Sequence, residues 1–145
     1  MPLLSAGAKA PTFKGVNLTG PEVNLENYTG KKAVVLMFAP DRVDPTQTGL
    51  VRTLYGKIKD RVELITISRK VPSVAGAKAF LQALGVTFPT LYDPAMNVYK
   101  MYGVENPVAI FIIDASGAIV YSAQADTAQV NLKQLEEAIA ANVKS

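Results

Sequence analysis

From Pro40 to Gln47 the chain reads Pro-Asp-Arg-Val-Asp-Pro-Thr-Gln, which gathers Asp41, Arg42, Asp44, Thr46 and Gln47 into one short stretch. Their side chains supply carboxylate, guanidinium, hydroxyl and amide groups, a set suited to hydrogen bonding and ion pairing. The chain contains no Cys and no His. Thiolate nucleophiles, disulfides, Cys/His zinc sites and imidazole bases are therefore excluded. The absence of cysteine also removes disulfide usage as an indicator of redox compartment. A metal held by Asp41, Asp44 and Asp93 would need an all-oxygen site for Ca or Mg, but no calcium-loop spacing is present. Solvated charge explains these residues better, so neither metal nor cofactor is expected. Asp44 or Thr46 also stands where a helix starts, and either side chain could accept a hydrogen bond from the free N–H groups there. Capping and recognition are compatible roles for this charged segment.

The elements around it follow from apolar patterning. Ala33 to Phe38 is a continuous apolar run rich in β-branched residues, the pattern of a strand buried on both faces. After the turn-like residues 39–45, Leu50, Val51, Leu54 and Ile58 recur at three- and four-residue spacing with Arg52, Lys57 and Lys59 between them, which predicts an amphipathic helix. Val62 to Ser68 reads as a second strand. The succession of strand, helix and strand predicts a right-handed crossover between parallel strands. Ser73 is placed to N-cap a further helix that runs to Leu84, stops at Gly85 and packs on the sheet. Phe88 to Tyr92 is short and extended, Asp93-Pro94 turns the chain, and Met96 to Tyr102 forms about two helical turns before Gly103. Ile110 to Asp114, the turn Ala115-Ser116-Gly117, and Ile119 to Tyr121 predict a β-hairpin. Leu132, Leu135, Ile139 and Val143 define a closing helix, and the stretches Phe13 to Leu18 and Val23 to Leu25 suggest a small N-terminal hairpin. The order predicts an α/β fold, a mixed central sheet with helices on both faces.

Composition sets the outer bounds. At 145 residues, 49% hydrophobic and 19% charged, the chain suits a single domain spanning 1–145. A formal charge of +3 is not concentrated in any window, and Arg69-Lys70 is an isolated basic pair without aromatic interleaving, so no nucleic-acid partner is expected. The first residues lack a charged n-region and a long apolar stretch, and no apolar run approaches the roughly 18 residues of a membrane span. This predicts a soluble, cytoplasmic chain as given. Tyr99 and Tyr102 lie at helical spacing, which favours packing of at least one ring on the core over an aromatic binding face.

Several motifs, in order, resemble the AhpC/TSA group of thioredoxin-like proteins, which includes peroxiredoxins and TlpA-like thiol oxidoreductases. Gly7-Ala8-Lys9-Ala10-Pro11-Thr12-Phe13 is similar to the group's opening Gly-x-x-Ala-Pro-x-Phe. Val23-Asn24-Leu25, Tyr28 and Gly30-Lys31 are similar to the approach to its first central strand. Gly85-Val86-Thr87-Phe88-Pro89 with Asp93-Pro94, Tyr102-Gly103-Val104, and Phe111-Ile112-Ile113-Asp114 with Gly117 and Ile119 are similar to its second half. The resemblance covers nearly the whole chain and implies a thioredoxin-like fold with an N-terminal hairpin extension.

In that group the chemistry sits where the first central strand meets the following helix. Aligned on the strand, the Cys-x-Pro-Cys of the thiol oxidoreductases falls on Val43-Asp44-Pro45-Thr46, so the proline is kept and both sulfurs are lost. In the peroxiredoxin alignment, Pro-x-x-x-Thr-x-x-Cys falls on Pro40, Asp44 and Gln47, which puts Gln at the peroxidatic cysteine. The peroxidase arginine would fall at Val108. The group's cis-proline also counts to Val108, one residue after Pro107, so a cis bond before Pro107 requires a local shift. Neither a Thr hydroxyl nor a Gln amide replaces a thiolate or undergoes its reversible two-electron oxidation. The resemblance thus implies a redox-inactive domain that binds a peptide or protein through the groove of Asp41, Arg42, Asp44, Thr46, Gln47 and Pro107. The alternative is a thiol-disulfide oxidoreductase or peroxiredoxin-type antioxidant protein whose catalytic cysteines are replaced. Relatives often dimerise through sheet edges or loops beside this region, so a homodimer is among the expectations.

Overall fold

The computed structural model describes residues 3–38, 45–69, 73–105, 108–125 and 132–143, with backbone alone at 45–47 and 125. Two short strands, β1 (Lys14–Gly15) and β2 (Val23–Asn24), pair antiparallel as the expected N-terminal hairpin. The main sheet contains β3 (Ala33–Phe38), β4 (Val62–Ser68), β5 (Thr90–Tyr92), β6 (Val108–Ile113) and β7 (Ile119–Ala125), in the order β5-β4-β3-β6-β7. β3 runs parallel to β4, and β4 parallel to β5, while β6 is antiparallel to both β3 and β7. The helices are α1 (Pro45–Ile58), α2 (Val74–Ala83), α3 (Asn97–Tyr102) and α4 (Leu132–Asn142). The architecture is a thioredoxin-like α/β fold.

The unbroken apolar run of β3 follows from period-two alternation between two covered faces. Val34, Leu36 and Phe38 join one buried layer with Ile65, Ile67, Phe111, Tyr99, Tyr102 and residues of the N-terminal segment. Ala33, Val35 and Met37 join the opposite layer with Val51, Leu54 and Ile58 of α1 and Leu135 and Ile139 of α4. Both rings of the Tyr99/Tyr102 pair are buried, as the helical spacing required of at least one.

Three details depart from the patterning. In α1, Leu50 is 51% exposed, and Tyr55 takes its place in the stripe, packing its ring 5.5 Å from that of Phe88. Residues 51, 54, 55 and 58 follow the i, i+3, i+4, i+7 face, and Leu50 stands outside it. In α2 only Ala77 is buried, and the helix meets the core layer through half-buried Leu81, with Leu84 just past its end; its Ala and Gly residues offer little apolar area. β7 runs to Ala125 rather than stopping at Tyr121. Ser122, Ala123 and Gln124 still pair with Phe111, Ile110 and Ala109, although their side chains lack the apolar alternation that marks a strand.

The caps are more regular. The Ser73 hydroxyl accepts from the Gly76 amide at 3.1 Å, the expected N-cap of α2. Gly85 takes φ 71°, and the Val86 amide donates back to the Leu81 carbonyl at 3.0 Å, a left-handed C-terminal closure that favours glycine.

The two sheet edges differ. The segment 16–18 lies along β5, with the Leu18 amide donating to Thr90 O at 2.8 Å and the Tyr92 amide to Val16 O at 2.9 Å. At the other edge, among the described residues, the N-terminal segment pairs with the start of β7 and the turn before it, through Gly7 N to Ile119 O at 2.9 Å, Ile119 N to Ala8 O at 2.8 Å and Ala10 N to Gly117 O at 2.9 Å.

Candidate functional site

Parallel β3 and β4 end on the same side of the sheet, and the chain leaves Phe38 there to enter α1. Ligand sites of open α/β sheets collect at such carboxyl ends. α1 starts at Pro45, a residue suited to the first helical position because its missing N–H has no intrahelical partner to lose. Thr46 therefore lies inside the first turn, and Asp44 is the residue that precedes the helix. A helix of this length directs the positive end of its dipole and its first free amides toward the segment before it.

On the other side of β3, Phe38 is in register with Ala109, which places Val108 one step beyond the end of β3. Val108 is only 3% exposed, so it enters the end of the sheet as packing. The structure thus pairs the end of β3 with the start of β6, and places Pro45, Thr46 and Gln47 in the first turn of α1. Pro40, Asp41, Arg42, Val43, Asp44 and Pro107 lie outside the described residues.

The floor beneath this end of the sheet is aromatic. The Phe38 ring packs edge-on against Tyr99 at 4.9 Å and Phe111 at 5.6 Å, and tilted against Tyr102 at 5.8 Å. The Tyr99 hydroxyl donates to the Ile67 carbonyl at 3.1 Å, which ties α3 to the end of β4. Burial pushes the Tyr102 phenol well above its ordinary pKa, so this ring stays neutral. The described floor therefore offers packing and no acid, base or nucleophile.

Arg69 is a feature of this end that sequence patterning passed over. Its guanidinium lies 5.8 Å from the centroid of the Tyr99 ring, a cation over an aromatic face. The signal was its position directly after the apolar run of β4, whereas the sequence treated it only as half of a basic pair. Asp93 is the second such feature. Its Oδ1 accepts from the Asn97 amide at 3.0 Å, and its Oδ2 from the Val98 and Tyr99 amides at 2.9 and 3.2 Å. This carboxylate caps α3 in place of the metal role considered for it. Among the described residues no group of three or more His, Cys, Asp or Glu is arranged to hold a metal ion.

Residues 6–122 match the sequence profile of the AhpC/TSA family, and the chain belongs to that family. Its class is thus the thioredoxin-like group of thiol-disulfide oxidoreductases and peroxiredoxins. The thiol-disulfide oxidoreductase ResA of Bacillus thuringiensis subsp. konkukian is 28% identical over 137 residues, covering 92% of this chain and 76% of the relative. ResA of Halalkalibacterium halodurans is 29% identical over 121 residues, covering 81% and 68%. Among solved structures, reduced 2-Cys peroxiredoxin of Plasmodium vivax superposes with a TM-score of 0.81 at 25% identity, over 95% of this chain and 96% of that one. AhpC of Mycobacterium tuberculosis shares the fold with a TM-score of 0.80 at 21% identity, over 97% and 98%. No helix among the described residues is long and apolar enough to cross a membrane.

Proposed function

We propose that this chain is a redox-inactive member of its family that works by binding a peptide or protein at the former active-site groove. The observation that carries this reading is a scaffold kept around a changed centre. β3 still pairs with β6 and is still followed by a helix that begins at Pro45, in a chain with no Cys and no His. Val43 and Thr46 occupy the sulfur positions in one alignment and Gln47 in the other, and none of them can form a disulfide or a sulfenic acid. Asp41, Arg42, Asp44, Thr46, Gln47 and Pro107 are the proposed contact residues, and the proposed partner is an extended segment recognised by them. The two apolar layers share one sheet, which supports reading 1–145 as one domain.

A pull-down with peptide libraries and lysate, run on the chain and on its Arg42→Glu, Thr46→Arg variant, tests the groove. Partners recovered by the chain are expected to be lost by the variant, and equal recovery from both counts against the groove. Peroxide consumption in the presence of a thiol reductant should not rise above a no-protein control.

The names of the ResA relatives favour a second reading, an oxidoreductase scaffold whose cysteines have been replaced. Cysteines introduced at Val43 and Thr46 test it: recovered dithiol exchange supports an intact scaffold, and its absence supports divergence of the surrounding groove. A mass measurement in solution decides between a monomer and a homodimer.

A further inference from the structure

We propose that the cleft between the N-terminal hairpin and α3 is a second binding surface, shaped for an acidic segment of a partner protein that carries an apolar side chain between carboxylates. The cleft measures about 650 Å³ and is lined by Lys14 and Gly15 of β1, the end of β5 and the outer side of α3. Its apolar base includes buried Leu91, and Gly15 approaches Leu91 so closely that a Cβ there would come within 2.9 Å of Leu91 Cδ1. At the mouth Met101 is 40% exposed, and neighbouring Val16, whose carbonyl accepts from the Tyr92 amide, is 54% exposed. The exposed apolar surface therefore continues past the cleft, which suits an extended segment better than an enclosed small molecule.

Charge selects the occupant. Lys14 and Lys100 line the cleft, and the ion pairs among the described residues, Lys32 with Glu63 and Lys57 with Glu136, involve neither of them. The carboxylate in the cleft is Asp93, and the amides of Asn97, Val98 and Tyr99 already engage both of its oxygens. Two lysines outside any ion pair among the described residues outnumber the one carboxylate, and apolar surface flanked by them is complementary to an apolar side chain flanked by carboxylates. The residues lining this cleft are none of those proposed as contacts in the groove at the start of α1, so the proposal does not depend on that groove.

The probe is a fluorescein-labelled Glu-Leu-Glu-Leu-Glu peptide titrated with the full chain by fluorescence anisotropy, beside the same peptide with Gln in place of Glu. The acidic peptide is expected to bind about tenfold tighter or more, with an advantage that shrinks as salt is raised. Lys14→Glu, Lys100→Glu is expected to lose about tenfold in affinity for it, and Met101→Asp to weaken it as well, both with an unchanged far-ultraviolet circular dichroism spectrum. Where the double variant fails to fold, the single Lys100→Gln change reads the same term through a smaller acidic-over-amide ratio. Arg42→Glu, Thr46→Arg should leave this binding untouched. Equal affinity for the two peptides, indifference to the lysine changes, or loss through the Arg42→Glu, Thr46→Arg variant instead would each overturn the proposal. A concentration-dependent dimer abolished by Met101→Asp would also overturn it, because the occupant would then be a second copy of the chain.

Discussion

The Tyr102 hydroxyl donates a 2.6 Å hydrogen bond to the carbonyl oxygen of Pro11, 91 residues earlier in the chain. The same ring sits in the aromatic floor, 5.0 Å from Phe111 and 6.1 Å from Phe13, so one side chain joins the N-terminal segment, α3 and the central sheet. Tyr102→Phe keeps the ring and removes the donor, leaving the Pro11 carbonyl without it. We expect a loss of about 1–3 kcal/mol in chemical denaturation with an unchanged slope, the range for a half-buried polar group deprived of its partner.

Tyr102 also gives the fold an alkaline dependence. Burial raises its folded-state pKa above the unfolded value of about 10, so the protonated phenol is favoured in the native state. The resulting stability is fully present below pH of about 10 and declines as pH rises beyond it, where the unfolded chain releases the proton first. Denaturation midpoints measured from pH 8 to 11 should fall more steeply for the wild-type chain than for Tyr102→Phe. Parallel profiles would assign the alkaline loss to other groups.

Asp114 works at the opposite end of the scale. Its Oδ1 accepts from the Ser116 hydroxyl at 2.6 Å and from the Ser116 and Ala118 amides at 3.0 Å, and the Ser116 hydroxyl bond is the main reason its carboxyl titrates below the ordinary range. The sign is that of a depressed acid. The stability is present above the unfolded pKa of about 4 and is lost as pH falls through the folded value. Asp114→Asn keeps an acceptor and removes the titration, so its stability between pH 4 and 2 should be flatter than that of wild type.

Asp93→Ala should cost about 1–3 kcal/mol, because three amides of α3 lose their acceptor. Asp93→Asn should recover part of it through the remaining side-chain oxygen. A thermal melt of both variants separates the cap from any ligand role, since the cap predicts this ranking in buffer alone.

Gly15→Ala places a Cβ 2.9 Å from Leu91 Cδ1, against a side chain that is itself buried. A penalty of about 1–3 kcal/mol is expected from the displaced packing. Combining it with Leu91→Ala, which opens the space, should yield a combined loss smaller than the sum of the two single losses.

Much of this architecture was legible in local pattern. β3, β4 and β6 were readable because strands covered on both faces tolerate few polar residues, and Ser73, Gly85 and Gly103 marked helix ends through their capping chemistry. The exposure of Leu50 and the shallow burial of α2 escaped the pattern for a common reason: periodicity identifies a helix but says little about how deeply its apolar face is covered. The last residues of β7 were missed because backbone pairing holds Ser122 to Gln124 with little help from side-chain hydrophobicity. The Tyr102 bond to Pro11 and the three-amide cap of Asp93 join groups that no short-range rule relates. The candidate site is legible only through motifs in order, since Val43, Thr46 and Gln47, which the resemblance aligns with the sulfur positions, carry no chemical signature of their own.

The unequal edges of the sheet limit how copies of this chain could associate through backbone pairing. Among the described residues, β5 is sheathed by 16–18 and β7 is covered at its start alone, which leaves one side for strand addition. Two copies joined there would satisfy each other and end the series as a closed two-fold pair, whereas a fibre would require a second free edge on every subunit.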